Sequence, residues 1–381
     1  MDLELNEEQK MLKARTRQFV EDKIIPRAKD FDENDETWLE QWKLLCDNDL
    51  MGVFFPKEYG GQGLDTISQV IVTVEVARGS ITTATLWGAN GLGTYPIQDL
   101  GNEEQKRKYL PLLAKGEKIG AYGLTEALGG SDVSLNKTTA VLDGNEYVLN
   151  GHKTFTTNGG VADIYTIFAL TDETKGIREG LSVFVVEKGT KGFSFGKPYD
   201  KMGIRGAIVG EEFLDNCRIP RENLLGETGQ GFNGVLSSLS RGRVNIGALG
   251  VGIAEAAFSV AADYAKQRVQ YGQVIARHQG IEWWFADMAT EISAARLLTY
   301  QAALLKDRNL PYAKEAAMAK VYSSEMANRV CHKALQIHGG HGYMRDLPLE
   351  RYSRNARILE IYEGTNEIQR ILIGRQVLKG I

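Results

Sequence analysis

Two hydrophobic periods alternate along this chain, and the points where they change divide it into three. Behind Asn6, the apolar residues Met11, Leu12, Phe19 and Val20 line one helical face. Asn6, with Gln9 three positions on, has the form of a capping box. Pro26 and the acidic run DFDENDE (Asp30–Glu36) end or interrupt that helix. FPKEYGGQGLD (Phe55–Asp65) is rich in turn residues and reads as a loop. Helical patterns resume over Ile67–Gly79 and Asn102–Gly116. After Gly120 the segments shorten and turn β-branched and aromatic: Asn145–Gly160, Asp163–Asp172, Leu181–Gly189 and Gly210–Pro220. Gly, Asp and Asn punctuate them, as in a compact antiparallel β domain. Beyond Phe232 the helical period returns in three long stretches, Asn245–Val269, Gly280–Asp307 and Tyr312–Gly340, which suit a bundle. The predicted order is therefore a helical domain over 1–120, a β domain over 121–228 and a helical domain over 229–381.

Length and composition narrow the class. The 381 residues carry 43% apolar and 25% charged side chains, ordinary for a globular protein. A net charge of −4 argues against a general nucleic-acid binder. Cys46, Cys217 and Cys331 lie far apart, so neither a zinc ribbon nor a disulfide framework is expected. The N-terminus lacks the apolar core of a signal peptide, and no uninterrupted apolar run approaches the ~20 residues needed to span a bilayer. The expectation is a cytoplasmic protein with no membrane insertion and no metal.

Four stretches carry candidate chemistry. GQGFNG (Gly229–Gly234) matches a dinucleotide fingerprint, but a loop containing Pro220 separates it from the preceding strand and no βαβ pattern follows. A turn opening a helix is the expected structure. QIHGGHGYMRD places His338 and His341 around glycines, which argues against a helical ligand face. It reads either as a helix C-terminus with αL geometry at Gly339–Gly340 or as a turn that lets backbone approach a ligand. AYGLTEALGGSDVSLNKT (Ala121–Thr138) suits a phosphate-cradling loop, although an ordinary connection is the simpler reading. In IYEGTNEIQR (Ile361–Arg370), Glu363 stands between Tyr362 and Gly364. On a helix, Glu360, Glu363 and Glu367 would crowd one face and raise a pKa, and a dry pocket beside Tyr362 would raise it further. That would suit a base for a weakly acidic carbon-bound proton; a surface carboxylate is the competing reading.

Taken together, AYGLTEALGGSD, NGHKTFTTNGG, DKMGIRG, RVQYGQVIARHQ, QIHGGHGY and IYEGTNEIQR resemble the acyl-CoA dehydrogenase family in order and spacing, from Leu5 to Leu378. The resemblance implies a fold that is mostly α with a central β domain: an N-terminal helical domain, a middle antiparallel β-barrel or sandwich, and a C-terminal four-helix bundle. It implies a homotetramer with FAD at a subunit interface. The family removes the α proton and β hydride of an acyl-CoA, giving a trans-2-enoyl-CoA and a reduced flavin that an electron-transfer flavoprotein reoxidises. By resemblance Glu363 is the base, Tyr362 and Gly364 line the acyl pocket, and Arg243 positions the CoA arm. Tyr122, Leu124, Thr125, Gly130 and Ser131 belong to the loop that contacts flavin and pyrophosphate, with Ser131 also touching CoA. Phe155 and Thr157 flank the flavin ring. Arg268, Tyr271, His278 and Gln279 reach the FAD of a neighbouring subunit, as do Gln336, Gly339 and Gly340, while Thr365 and Glu367 complete the FAD site. The thioester carbonyl is expected to take hydrogen bonds from the Glu363 backbone N–H and a ribityl hydroxyl.

Two positions depart from the family pattern: Ala127 stands where proline is usual, and Phe155 where tryptophan is frequent. Trp87 lies where the acyl chain should end and would shorten the pocket, whereas Gly91 and Gly93 would widen it. The same site also serves an enoyl-CoA reductase running in reverse. A helical scaffold that has lost catalysis is the reading from another class, and the presence of Glu363, Arg268 and Thr157 argues against it.

Overall fold

The computed structural model describes residues 4–379. Its first region is helical: α1 (Glu7–Phe19), α2 (Ala28–Glu33), α3 (Trp38–Asp47), α4 (Thr66–Gly79), α5 (Ile81–Leu100) and α6 (Glu103–Ala114). The capping box of α1 forms, with Asn6 Oδ1 accepting from the Gln9 N–H at 2.8 Å and Gln9 Oε1 from the Asn6 N–H at 3.2 Å. The first helix changes character before Pro26. A π-helical turn over Val20–Ile24 follows α1, and Pro26 sits in a 3₁₀ turn over Ile25–Arg27.

The middle region holds β1 (Gly120–Gly123), β2 (Thr139–Asp143), β3 (Glu146–Thr157), β4 (Ile164–Leu170), a short α7 (Gly176–Gly180), β5 (Leu181–Glu187), β6 (Phe193–Phe195), β7 (Val209–Pro220) and β8 (Leu224–Leu225). The sheet order is β6-β7-β3-β2-β4-β5-β8, with β1 beside β4. The sheet is mixed rather than purely antiparallel, because β1 runs parallel to β4, and β2 meets β4 in parallel at Thr139 and Leu170. Alternation along a strand reports which face is buried, not which way its neighbour runs. In β4 every residue is buried, so even the alternation is lost.

The last region comprises α8 (Gly231–Gln267), the hairpin β9 (Val269–Gln270) and β10 (Gln273–Val274), α9 (Gln279–Asp307), α10 (Ala313–His338), α11 (Leu349–Ala356) and α12 (Asn366–Val377). Gly231, inside the GQGFNG motif, opens α8, and no βαβ unit surrounds it. By length and composition α8 could cross a membrane, but 72% of its most apolar window is buried inside the fold. It is the central helix, packed on α10, α9, α4 and α5.

Buried polar bonds tie the regions together. Asp32 Oδ1 accepts from Thr82 Oγ1 and from Asn355 Nδ2, each at 2.7 Å, and Asn355 Oδ1 accepts from the Ile204 N–H at 2.8 Å. Asp307, ending α9, accepts from the Thr66 N–H at 2.8 Å and so caps α4 from outside.

Gly93 lets α5 lie directly on β1. A Cβ there would stand 2.7–2.9 Å from the N, C and O atoms of Ala121, and backbone cannot rotate away. We predict that Gly93→Ala lowers stability by roughly 1–3 kcal/mol, read from chemical denaturation, whereas Gly130→Ala, with open space around it, leaves the midpoint nearly unchanged.

Candidate active site

Thr365 caps α12, accepting from the Ile368 N–H at 3.5 Å, and the two residues before it turn the chain sharply. Glu363 has φ +52 and Gly364 φ +92, so consecutive residues are left-handed. For glutamate this costs about 1–2 kcal/mol. Gln369, fully buried, fastens the turn by donating from Nε2 to the carbonyls of Gly364 at 3.0 Å and Glu363 at 3.4 Å. The result is a carboxyl group aimed into the protein at α8. Its Oε2 is buried with no hydrogen-bond partner. At Gly242 of α8 a Cβ would lie 1.8 Å from that oxygen, so the approach exists only because this position has no side chain.

The three glutamates do not share a helical face, contrary to the sequence expectation. Glu360 ends a 3₁₀ turn and pairs with Arg357, and Glu367 is exposed on α12. Burial, not like-charge crowding, pushes the Glu363 pKa up to about 7; the Arg243 guanidinium and the Lys320 ammonium pull it back part of the way. Arg243 is itself buried, with Nε unpartnered, and burial lowers its pKa. Lys320, on α10, has no exposed surface and donates to Asn366 Oδ1 at 2.8 Å. Burial lowers it to about 8 against the pull of Glu363.

Further buried polar atoms around this carboxyl group lack partners. Thr85 lies against Tyr362 and Ser238 against Tyr122, yet none of the four hydroxyls makes a hydrogen bond of normal geometry. Buried polar atoms are nearly always paired, so this concentration marks an interior shaped for a polar ligand.

The other expected site residues fall into two groups. Tyr122 on β1, then Leu124, Thr125, Gly130 and Ser131, form the loop leaving that strand. Lys153 Nζ and Asn136 Nδ2 hold the Leu124 carbonyl at 3.3 and 2.8 Å, and the Thr125 carbonyl accepts from the Thr154 N–H at 2.9 Å. Thr157 closes β3, and Phe155 projects from it with φ +58 and 66% of its surface exposed. An exposed aromatic ring beside an open glycine loop fits the face of a flavin. The second group sits at the far end of α8. Arg268, Tyr271, His278 and Gln279 lie in and after the β9–β10 hairpin, and Gln336, Gly339 and Gly340 end α10, where His338 stacks on Tyr264 of α8 at 4.2 Å. Tyr271 is 96% exposed. Gly339 has φ +57 with ψ −136, so the helix ends in a glycine-only conformation but not in αL. Among the described residues no hydrogen bond joins this group to the first.

Sequence reasoning missed Lys320, Gly242 and Gln369. Lys320 had a signal: it stands within the stripe of small buried residues Ala316, Ala319, Ser323 and Ala327, where a solvated lysine would not be placed. Trp87 does not wall the chamber. It is fully buried against Phe54 and donates to the Leu50 carbonyl at 3.1 Å. Gly91 packs on Phe54 and Gly93 on Ala121, so these glycines serve tight contact rather than added width. A cavity of about 330 Å³ lies nearby, lined by Tyr95, Phe54, Leu64, Val70 and Val244, but Glu363 does not line it.

The chain belongs to the acyl-CoA dehydrogenase family, oxidoreductases that act on CH–CH bonds and whose cofactor is FAD. The family's N-terminal, middle and C-terminal domains match residues 6–117, 121–217 and 229–378. The acryloyl-CoA reductase (NADH) of Anaerotignum propionicum is 46% identical over all of this chain and 96% of its own length. The short-chain-specific acyl-CoA dehydrogenase of Clostridium acetobutylicum is 45% identical, with both chains covered in full. A chain in the structure of the electron transferring flavoprotein of Acidaminococcus fermentans superposes with a TM-score of 0.95, at 44% identity and full coverage of both.

Lys320 is positioned to hold Glu363 ionised. Replacing it with methionine removes a cation, so the carboxyl pKa rises and the base form appears only at higher pH. We predict that the acid limb of the kcat/KM profile moves upward in Lys320→Met; an unmoved limb would show that Lys320 does not act on Glu363.

Proposed function

We propose that this chain dehydrogenates a short acyl-CoA thioester between Cα and Cβ, with Glu363 as the base that takes the α proton. The observation that carries this reading is the buried, unpartnered Oε2 of a carboxyl group whose pKa is near 7. A base is most effective when its pKa is near the working pH. Arg243 and Lys320 favour the ionised form that must accept the proton. No carbonyl among the described residues accepts from the Glu363 backbone N–H, which leaves it free for the thioester oxygen. Such a donor is worth about 3–4 kcal/mol at a developing oxyanion. Bound FAD supplies the acceptor for the β hydride.

The loop of Tyr122, Leu124, Thr125, Gly130 and Ser131 and the strand end of Phe155 and Thr157 hold the flavin of the same subunit. Exposed Tyr271, with Arg268, His278, Gln279, Gln336, Gly339 and Gly340, serves the FAD of a second subunit in a homotetramer. Exposed Phe155 faces the electron-transfer flavoprotein, a partner suited to a cytoplasmic enzyme. The 45% identity to a short-chain-specific acyl-CoA dehydrogenase supports a short acyl group.

The physiological direction has a second reading, reduction of an enoyl-CoA, favoured by the 46% identity to an acryloyl-CoA reductase. Anaerobic titration of the FAD-loaded protein with a panel of acyl-CoA esters, followed by the loss of flavin absorbance, tests the activity and identifies the acyl group. Rapid turnover of enoyl-CoA with a reduced flavoprotein donor, and none of acyl-CoA, assigns the reverse direction. We predict that Glu363→Gln keeps FAD bound and lowers flavin reduction by acyl-CoA at least about 10³-fold; near-normal reduction would falsify the assignment of the base.

A further inference from the structure

The β domain carries a buried ionisable group that the chemistry at Glu363 does not use. Glu212, on β7, has no exposed surface and lies directly across from Lys153 of β3. Its Oε2 accepts from the Thr156 hydroxyl at 3.1 Å, and its Oε1 is buried with no partner. Lys153 is committed elsewhere, to Glu126 at 2.7 Å and to the Leu124 carbonyl at 3.3 Å. One ammonium therefore faces two carboxyl groups and makes its ion pair with Glu126. Glu212 is left to hold a proton: burial pushes its pKa up to about 8, only partly offset by the Thr156 hydroxyl and Lys153. The remaining ionisable group turned towards it is Tyr165 of β4, whose own pKa is raised by burial and then by Glu212.

The position of Glu212 gives this proton a use. The pairing of β3 with β7 slips between Lys153/Glu212 and Thr156/Gly210, with three steps along β3 against two along β7. This is a β-bulge, and bulges re-aim side chains. Phe155 stands in it, left-handed and exposed, with Thr157 just beyond. Glu212 holds Thr156, the residue between them, from below. On its other side, a Cβ at Gly123 would lie 2.7 Å from Glu212 Oε2. Gly123 leads directly into Leu124 and Thr125. A single carboxyl group thus abuts both segments proposed to hold the flavin ring.

We propose that Glu212 is a positioning residue for the flavin-facing bulge: as a neutral acid it anchors Thr156, and on losing its proton it places a negative charge, only partly offset by Lys153, beneath that bulge and lowers the flavin's reduction potential. The inference rests on the reading that FAD lies against Phe155 and Thr157. A charge in a low-dielectric interior is weakly screened, so it acts on a ring held by the neighbouring bulge.

The test is the midpoint potential of the FAD-loaded protein, measured spectroelectrochemically between about pH 6 and 10, a range that spans the ionisation of Glu212. The wild type should show an additional downward break near pH 8. Glu212→Gln keeps a hydrogen-bonding side chain of the same shape but cannot ionise, so it should follow the wild type in acid and lack the break. Thr156→Val removes a donor to the carboxylate, so the break should move to higher pH. Identical curves for wild type and Glu212→Gln overturn the proposal, as does an unmoved break in Thr156→Val should Glu212→Gln fail to fold. A wild-type protein that takes up no FAD overturns the flavin reading instead, which keeps the two failures distinct.

Discussion

One constraint organises this molecule: a carboxyl group must be buried without being satisfied. Oε2 of Glu363 has no partner, and everything around it keeps it so. The left-handed pair Glu363–Gly364 reverses the chain so that the side chain points inward, Gln369 locks that reversal, and Gly242 clears the space into which the oxygen projects. An uncompensated buried carboxylate would be driven to protonate. Arg243 on α8 and Lys320 on α10 oppose that in part by supplying positive charge from two sides. The carboxyl group therefore settles near neutrality, where a small change in its surroundings shifts its protonation.

That balance needs three helices to keep their relative positions. The long α8 contributes Gly242 and Arg243, α10 contributes Lys320, and the turn leading into α12 contributes Glu363. Asn366 couples two of them, accepting from Lys320 Nζ at 2.8 Å while donating to Ser324 Oγ at 3.0 Å. Asp32, with Thr82 and Asn355, joins all three regions of the chain through buried bonds. Such networks rigidify when fully satisfied, and the base proposed for a Cα–H would need a fixed position.

Much of this was legible in the sequence. Helical and strand periods gave the order of the regions, and the Asn6–Gln9 cap appears as read. Motif resemblance singled out Glu363 and the loops around it. Features set by long-range contact were not legible. Periodicity does not encode strand direction, so the parallel pairing of β1 with β4 went unseen. The spacing of Glu360, Glu363 and Glu367 suggested a shared helical face, because nothing local announces that a glutamate will adopt φ +52. Trp87, Gly91 and Gly93 looked like pocket walls, but their partners, Phe54 and Ala121, lie too far along the chain for local patterns to reveal. Lys320 is the instructive intermediate case: a cation in a stripe of alanines and serines is anomalous by pattern alone, but its object, Glu363, is visible only in three dimensions.

The two cations also bear on why the site can do its chemistry without reorganising. Before proton transfer, Arg243 and Lys320 face a negative carboxylate. In the proposed step Glu363 takes the α proton and becomes neutral, and the negative charge would move to the substrate as an enolate beside the Glu363 backbone N–H. The net charge of the chamber is the same on both sides of the step; only its location changes. A site that began neutral would have to solvate a newly formed charge in a dry interior, where water cannot respond. Here the field that stabilises the product of proton transfer is already in place, held by buried side chains whose pKa values were lowered by their burial. Such preorganisation is effective because the donors and charges need not move when the charge does. The same logic would make the proposed step reversible: protonated Glu363 is a carboxylic acid with a pKa pushed up to about 7, which can return its proton to the substrate carbon. The geometry at Glu363 therefore favours neither direction, and on the proposed function the redox partner that exchanges electrons with the flavin would decide whether hydrogen is removed or added.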